Sequence, residues 1–494
     1  MEYDVIVVGA GNAAQAAANS ARENGAERVV LLEKAGEADR GGNTHYSGGL
    51  LRIAFDDPEQ LRTLVPDAEQ EIEGFFSDVE TYTKDDFWGD LLRVTAGKTD
   101  RELATILIDN SYDTIRWMRE YAGIPMEPAT SLAGIRVGNR VKWQKGAVIR
   151  ADAEGVGLSK HWFEKTAANG IEVRYETAGL ELLQDASGKI CGVKVKGPNG
   201  LEELRGKSVV LGCGGFEANA QWRAQYLAAP WDHAKVRGTK HNQGDGLRMA
   251  FDVGAMPWGQ WSGKHSTPIS NEWPDFADRK RTDKSNRLSY PYGVMINRAG
   301  LRFVDEGEDM GLYTYAKYGG QILNQPGSMA WQIFDQKTVH LLEPRYKTSD
   351  PIQADTLAEL IGKLDLDDRA QALATLDDYN AATPAEGDGR FDPTRKDGVS
   401  TTGLVPNKTN WALKLDKPPF VAYSATGGIT FTFGGLKVDE HARVIATDWR
   451  PIQGLYTCGE MVGGLFHFNY PGGTGLVSGA VFGRIAGRSA ALGL

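Results

Sequence analysis

The sequence of 494 residues predicts an α/β protein in which a doubly wound parallel sheet is interrupted by an inserted α+β segment. The apolar strand Tyr3–Val8, a glycine turn, an alanine-rich helix and a second apolar strand at 28–32 form one βαβ unit. From 259 to 428, Trp, Pro and charged residues become more frequent, and the glycine-rich texture returns at Gly434. We therefore predict a first domain in two parts, 1–259 and 429–494, and an inserted domain at 260–428.

The elements between the first unit and the insertion follow from their periodicity. The pattern is helical over 58–123 and again over 155–169, and strands are predicted near 172–175, 192–196 and 208–211. Turn signals at 185–188 and 197–200 predict that some of these strands form a small antiparallel sheet.

Composition excludes several classes of function. With 55 basic and 65 acidic residues the net charge is −10, and no run of Lys or Arg suggests a nucleic-acid or anionic membrane surface. The three cysteines are far apart and lack metal or iron–sulfur spacing, so we expect no metal site. Without a signal-like segment or an apolar run of ~20 residues, we expect a cytoplasmic protein that does not span a membrane.

The first motif is the turn 9–14, Gly-Ala-Gly-Asn-Ala-Ala, which has the form G-x-G-x-x-A. Gly9 permits the tight turn, Gly11 lets the backbone approach a pyrophosphate, and Ala14 permits close packing of helix on strand. The phosphates would meet the positive end of the helix that begins near Asn12. Glu33 follows at about the 20-residue distance expected of an acid that binds a ribose hydroxyl. This unit predicts a dinucleotide site, and both NAD and FAD use such a site.

Later glycine clusters favour FAD and a Rossmann-like FAD-binding domain. One cluster follows the acid at 41–44, one ends a predicted strand at 212–216, and two precede the last helix at 454–460 and 470–475. A C-terminal helix aimed at the flavin would stabilise negative charge at its N1/C2 edge. The residues predicted to bind FAD are Gly9, Gly11, Asn12, Ala13, Ala14, Glu33, Lys34, Gly41, Gly42, Asn43, Thr44, Gly48, Gly49, Gly214, Gly215, Asn242, Asp245, Gly459, Glu460, Gly473, Thr474, Gly475, Leu476 and Val477.

Along nearly its whole length the chain resembles the fumarate reductase/succinate dehydrogenase flavoprotein family. The matching segments are 9–14, 41–44, 214–219, 242–246, 297–306, 434–444, 454–460 and 483–487. Within the family the segments 40–43, 90–95, 302–306, 313–317 and 469–475 resemble tricarballylate dehydrogenases. The resemblance implies a flavin domain with a mobile capping domain, here 260–428, and substrate between them. It also implies redox chemistry at a carbon–carbon bond next to a carbonyl or carboxylate.

The sequence departs from the family pattern at positions that contact the cofactor or the substrate in family members. Some members attach FAD through a histidine, but His45 does not fall at that position, so we predict non-covalent FAD. His265 matches the first dicarboxylate-handling residue of fumarate reductases, whereas the other three positions fall at Met310, Phe431 and Tyr470. A fumarate reductase is therefore disfavoured.

The segment 470–472, Tyr-Pro-Gly, resembles an element of 3-ketosteroid dehydrogenases in which a tyrosine takes the α-proton. Tyr470, Tyr313 and Tyr315 are the candidate bases. Since the tyrosine pKa is ordinarily near ~10, a neighbouring cation or hydrogen bond must assist, and His265 or Arg287 would supply it.

Several functions stay open at this stage. The first is a dehydrogenase that converts tricarballylate, or a related carboxylate, to a cis-aconitate-type alkene. The others are a dehydrogenase of cyclic ketones or 3-ketosteroids, a fumarate-reductase-like alkene reductase, and a non-catalytic FAD-binding electron carrier. Carboxylates would need cations such as Arg136, Arg140, Lys264 or Arg287. Reduced FAD would pass its electrons to an external acceptor, namely a membrane-bound partner protein, a quinone or oxygen.

Overall fold

The computed structural model describes residues 2–131, 133–137, 140–385 and 390–494. Its larger sheet is mixed and confirms the predicted α/β class. The strands of this sheet are Tyr3–Val8, Val29–Leu32, Glu172–Arg174, Ala178–Gln184, Ile190–Gly197, Gly200–Leu211, Arg443–Ile445 and Pro451–Thr457.

The centre of this sheet is parallel. Strand Tyr3–Val8 lies between Val29–Leu32 and the end of Gly200–Leu211, with Val8 opposite both Leu32 and Leu211. Since parallel strands end at the same edge, the residues that follow them, Gly9, Glu33 and Gly212, come together there. The first half of Gly200–Leu211 instead pairs antiparallel with Ile190–Gly197, which pairs with Ala178–Gln184, as the two turn signals predicted.

Twelve α-helices are described, of which the first and the last pack on one face of the larger sheet. Their bounds are Asn12–Glu23, Ala68–Glu71, Phe75–Asp78, Lys84–Val94, Arg101–Glu120, Glu154–Ala168, Ala220–Trp222, Asp245–Asp252, Tyr315–Leu323, Leu357–Lys363, Arg369–Ala382 and Thr474–Leu492. The predicted helical stretch 58–123 is divided because Thr83 and Asp100 each accept hydrogen bonds from first-turn amides and so start new helices. None of the described helices is long and apolar enough to cross a membrane.

The last helix, Thr474–Leu492, packs directly on the first, Asn12–Glu23. Their backbones approach so closely that a Cβ atom at Gly487 would lie 2.0 Å from the carbonyl oxygen of Ala17. Glycine at this position therefore lets the last helix start at the carboxyl edge of the larger sheet.

A second sheet is formed mostly by the inserted segment. Its strands are Lys235–Val236, Lys264–Ser270, Val294–Asn297, Met329–Phe334, Ile352–Ala354 and Phe420–Thr432. Strand Phe420–Thr432 pairs with four of the other five and continues past residue 428. The division of the chain at 259 and 428 into a flavin domain and a cap stays a prediction.

Short strands complete the fold. Leu50–Leu51 and Met126–Pro128 flank Ile149–Ala151, Gly134–Val137 pairs with Arg140–Trp143, and Pro257–Trp258 pairs with Gly435–Leu436.

Candidate active site

A cavity of about 270 Å³ runs from the carboxyl edge of the larger sheet to strand Phe420–Thr432 of the second. Most of the predicted FAD-binding residues line it. They are Gly9, Gly11, Asn12, Ala13, Glu33, Lys34, Gly42, Asn43, Thr44, Gly48, Gly49, Gly214, Asn242, Asp245, Gly459, Glu460, Gly473, Gly475 and Leu476. The other predicted residues adjoin the lining in sequence without being part of it, and they are Ala14, Gly41, Gly215, Thr474 and Val477.

The turn at Gly9 requires glycine. Its φ is +110°, and a Cβ atom there would lie 2.2 Å from the carbonyl oxygen of Gly212. At Gly11, a side chain would begin at the cavity wall, 3.5 Å from Thr44 Oγ1. The bare backbone before helix Asn12–Glu23 therefore leaves room for a phosphate at the positive end of that helix.

Glu33 lies in the wall of the same end of the cavity. Its carboxylate accepts hydrogen bonds from the amides of Ala35, at 2.9 Å, and Gly41, at 3.2 Å. Burial raises its pKa, and these amides oppose that rise. Beside it, Lys34 forms an ion pair with Asp245 at 2.6 Å. The acid thus fixes the loop that carries the second glycine cluster and also faces the cavity.

Asn12 connects this end with the last helix. Its side-chain amide donates to the carbonyl oxygen of Leu476 at 2.8 Å, and its backbone amide donates to Thr44 Oγ1 at 2.8 Å. The acid, the bare glycine turn and the start of helix Thr474–Leu492 therefore follow one another along the cavity. This order fits FAD with its ribose at Glu33, its diphosphate at Gly11 and its ring system near the last helix.

The far end of the cavity is aromatic. Phe431, Phe433 and Phe466 line it together with Tyr315 and Tyr470. The hydroxyl groups of the two tyrosines are hydrogen-bonded to each other. Both tyrosines are buried, so this pair is shielded from bulk water.

Burial opposes ionisation of both tyrosines. It raises the pKa of Tyr315 well above 10, and it raises the pKa of Tyr470 as well. The positive charge of Arg237 opposes the rise at both hydroxyls. Each hydroxyl is therefore harder to ionise than that of a free tyrosine.

His265 packs against both tyrosines. Its ring stacks on Phe431 at a centroid distance of 5.0 Å and meets Tyr315 and Tyr470 edge-on at 4.9 and 4.8 Å. Neither ring nitrogen has a hydrogen-bond partner among the described residues. Burial, reinforced by Arg237, lowers the pKa of His265 well below 6.5, so the imidazole is neutral.

Arg237 is the cation at this end of the cavity, and it is already paired. Its guanidinium binds Asp283 and donates to Thr430 Oγ1 at 3.0 Å. Asp283 also accepts from Arg345, at 2.6 Å, and from Asn286, at 2.9 Å. Arg345 also pairs with Glu154 and Glu343, both at 3.3 Å, so Asp283 remains available to compensate the positive charge of Arg237.

Comparison with known proteins agrees with this geometry. The model of the FAD binding domain family matches residues 4–477. The chain belongs to this FAD-binding family. It is accordingly an FAD-dependent oxidoreductase that acts on CH–CH groups.

Relatives of this flavoprotein act in both redox directions. It is 27% identical to a fumarate reductase (cytochrome) of Shewanella frigidimarina over 99% of the chain and 77% of the relative. It is 28% identical to a 3-oxosteroid 1-dehydrogenase of Mycobacterium tuberculosis over 73% of the chain and 67% of the relative. The crystal structure of 3-ketosteroid Δ1-dehydrogenase from Sterolibacterium denitrificans has the same fold, with a TM-score of 0.74, 20% identity and 99% of both chains covered.

Three of the five predicted catalytic residues of the flavoprotein lie outside the cavity lining, and of these only His265 packs against the lining tyrosines. The hydroxyl of Tyr313 donates to Asp90 at 2.6 Å and accepts from Arg52 at 3.2 Å, and burial raises the pKa of Tyr313 to about 12. Arg287 is fully buried, and its guanidinium donates to the carbonyl oxygens of Asn286 and Arg345 at 2.9 and 3.0 Å. The structure therefore brings together Tyr315, Tyr470 and His265, and leaves Tyr313 and Arg287 in separate networks.

His45 and the candidate carboxylate-binding cations also lie outside the cavity lining. His45 Nε2 lies 3.3 Å from the carbonyl oxygen of Arg279, and His45 is not part of the cavity lining. Arg140 is exposed and pairs with Asp78, and Lys264 lines a different, smaller cavity. Met310, one of the three residues that depart from the fumarate reductase pattern, is likewise not in the lining.

Sequence reasoning missed Arg237 and Asp283. Neither residue stands in a recognisable motif. They meet because residues 235–236 pair with strand Phe420–Thr432, while Asn286 pairs with Ile269 in the neighbouring strand Lys264–Ser270. A pairing of this kind between distant segments leaves no signal in a single sequence.

Proposed function

We propose that this flavoprotein dehydrogenates a ketone, introducing a carbon–carbon double bond next to the carbonyl group. The observation that carries the proposal is the hydrogen-bonded pair Tyr315–Tyr470 at the aromatic end of the FAD cavity. FAD, when bound, supplies the acceptor for the β-hydride. The protein must then hold the carbonyl oxygen and remove the α-proton.

The tyrosine pair meets the second need. Tyr470 acts as a tyrosinate, which takes the α-proton and becomes neutral, and Tyr315 stabilises this tyrosinate beforehand by donating its hydroxyl hydrogen to the Tyr470 oxygen. Either hydroxyl can donate in this geometry, and we assign the donor role to Tyr315, because the Tyr470 oxygen must carry the negative charge if Tyr470 is the base. His265 remains neutral and packs both rings in place, so it acts by positioning rather than by proton transfer.

The start of helix Thr474–Leu492 supports the same reaction. Gly473 and Gly475 line the cavity immediately after Tyr470, and the first amides of a helix have no acceptor within the helix itself. These amides and the positive end of the helix stabilise negative charge as it develops on the substrate oxygen or at the adjoining edge of the cofactor.

The charges of the cavity favour a ketone over a di- or tricarboxylate. Among the described lining residues the basic side chains are Lys34, Arg237 and His241. Lys34 pairs with Asp245 and Arg237 with Asp283, and burial lowers the pKa of His241. A multiply charged carboxylate would therefore enter a cavity without an uncompensated cation, at a large desolvation cost. Tricarballylate is for this reason a less favoured substrate than an apolar cyclic ketone, whose carbon skeleton the phenylalanines would cover.

The remaining parts of the proposal concern the cap and the electrons. We propose that segment 260–428, which carries His265 and Tyr315, closes over the substrate as a capping domain. Electrons would leave reduced FAD for an external acceptor, such as a membrane-bound partner protein, a quinone or oxygen.

A dye-reduction assay with purified holoenzyme tests the substrate class. We expect cyclic ketones, including 3-ketosteroids, to reduce an artificial electron acceptor, and we expect tricarballylate, succinate and other polycarboxylates to give no reaction. Activity with polycarboxylates alone would overturn the proposal. The matched control is Tyr318→Phe, because Tyr318 lies on the same helix as Tyr315 but its hydroxyl binds the Asp305 carbonyl oxygen and Glu308.

A further inference from the structure

Two carboxyl groups lie close together at the FAD cavity: that of Glu217 is fully buried, and that of Glu460 is partly buried and lines the cavity. Neither forms an ion pair with a basic side chain in the described part of the chain. The guanidinium of Arg223 binds the backbone carbonyl oxygens of Glu217 and Trp231 and not the carboxyl groups. Two uncompensated negative charges at this depth would be strongly destabilising.

The donors around the pair are distributed unequally. Glu460 Oε1 accepts from the amide and the hydroxyl of Thr432, at 2.7 and 2.9 Å. Glu217 Oε1 accepts from the side-chain amides of Asn43 and Asn242, at 2.7 and 2.6 Å. Glu217 Oε2 is fully buried and has no donor among the described residues. A proton on Glu217 Oε2 turns this unpartnered acceptor into a donor, and the carboxylate of Glu460 is the acceptor beside it.

We propose that Glu217 and Glu460 share one proton, which Glu217 donates to Glu460, and that this singly charged pair holds Asn43 and Asn242 at the wall of the FAD cavity. Burial raises the pKa of both groups, and the charge of Glu460 raises that of Glu217 further, which agrees with the assignment of the proton. A carboxyl group kept neutral so that it can donate a hydrogen bond is known from other enzyme sites.

The pair would also connect the two sheets. Asn43 donates to the carbonyl oxygen of Thr430 at 2.7 Å as well as to Glu217, and its own oxygen accepts from the amide of Thr239 at 2.8 Å. Thr430 and Thr432 flank Phe431 on the strand that lines the aromatic end of the cavity. The shared proton therefore positions the FAD-binding loop relative to that strand, and Glu217 is a positioning residue.

Infrared spectroscopy of the holoenzyme tests the proton directly. The difference spectrum between the wild type and Glu217→Gln should contain the carbonyl band of a protonated carboxyl group, shifted in D2O, while the bands of FAD cancel. The band should persist in Glu460→Gln at a changed frequency. Absence of the band from the wild type, or its loss in Glu460→Gln and persistence in Glu217→Gln, would overturn the assignment.

Dissociation of FAD on dilution, followed by flavin fluorescence, gives a second readout. A glutamine at 217 offers the same acceptor and an N–H donor, so Glu217→Gln should keep the FAD dissociation constant within about 2-fold of the wild type at pH 7, whereas Glu217→Ala should weaken binding by about 10-fold or more. At alkaline pH the wild type should lose affinity as Glu217 deprotonates beside Glu460, and Glu217→Gln should not. Equal losses of FAD in the glutamine and alanine variants would contradict the proposal.

Discussion

The hydroxyl groups of Tyr315 and Tyr470 are hydrogen-bonded to each other at the aromatic end of the FAD cavity, although 155 positions separate the residues in the chain. One tyrosine begins the helix Tyr315–Leu323 and the other precedes the turn into helix Thr474–Leu492. Their contact joins the inserted segment to the flavin-binding segment at the point where the substrate would lie.

Replacing Tyr315 by Phe should move the pH dependence of flavin reduction to higher pH. In the wild type the rate should rise with pH as Tyr470 gives up its proton, and the hydrogen bond from Tyr315 lowers the pKa of Tyr470. Loss of that bond raises the pKa again, so a higher pH is needed for the same rate. Stopped-flow reduction by a ketone across an alkaline pH series measures the shift. A profile displaced to lower pH would show that Tyr315 does not donate to Tyr470.

His265 should make the protein sensitive to acid. Its pKa in the folded protein lies well below the value of about 6.5 in an unfolded chain, so below pH 6.5 the unfolded chain binds a proton that the folded chain does not. The free energy of unfolding should therefore fall by about 1.4 kcal/mol per pH unit below 6.5 through this residue, with no contribution above it. Urea unfolding of the wild type and His265→Gln at pH 7.5 and 5.5 compares the two slopes. Identical losses in both proteins would mean that His265 is protonated in the fold.

Glu33→Ala should lower the FAD content of the purified protein. The carboxylate holds the amides of Ala35 and Gly41 and faces the cavity, so its loss frees the loop and removes the ribose acceptor. The ratio of flavin to protein absorbance reports occupancy. Glu37→Ala is a suitable control, since Glu37 is exposed and pairs only with nearby Arg40 in the described structure. Full occupancy in Glu33→Ala would contradict the ribose role.

The flavin should be released intact when the holoenzyme is denatured. His45 is directed to the carbonyl oxygen of Arg279 and is not in the lining, so no histidine of the 41–49 segment is placed for attachment. Acid precipitation should leave all yellow colour in the supernatant. Colour in the protein pellet would demonstrate a covalent bond and contradict the prediction.

Local patterns were sufficient to predict which residues meet at the carboxyl edge of the larger sheet. The strand Tyr3–Val8, the positive φ of Gly9 and the place of Glu33 after the second strand follow from one βαβ unit, whose parallel order brings the strand ends together. The glycine clusters could be assigned to the same cavity because each follows a strand or precedes a helix.

The substrate end could not be predicted to the same depth. Tyr313 and Tyr315 were equal candidates as bases, but residues 311–313 form a 3₁₀ turn and the helix starts at Tyr315, so the two hydroxyls enter different networks. Arg287 was a candidate cation at the site, yet backbone carbonyls bind it away from the cavity, and Arg237 takes that place. These outcomes depend on contacts between distant segments, which a single sequence does not encode in any local pattern.

The most direct test of the account is anaerobic single-turnover reduction of bound FAD by a cyclic ketone, compared in the wild type, Tyr470→Phe and Tyr318→Phe. We expect rapid bleaching of the flavin in the wild type and in Tyr318→Phe, and a rate lower by about 10²- to 10⁴-fold in Tyr470→Phe, with FAD still fully bound. Reduction of Tyr470→Phe at a rate near that of the wild type would contradict proton removal by the tyrosine pair.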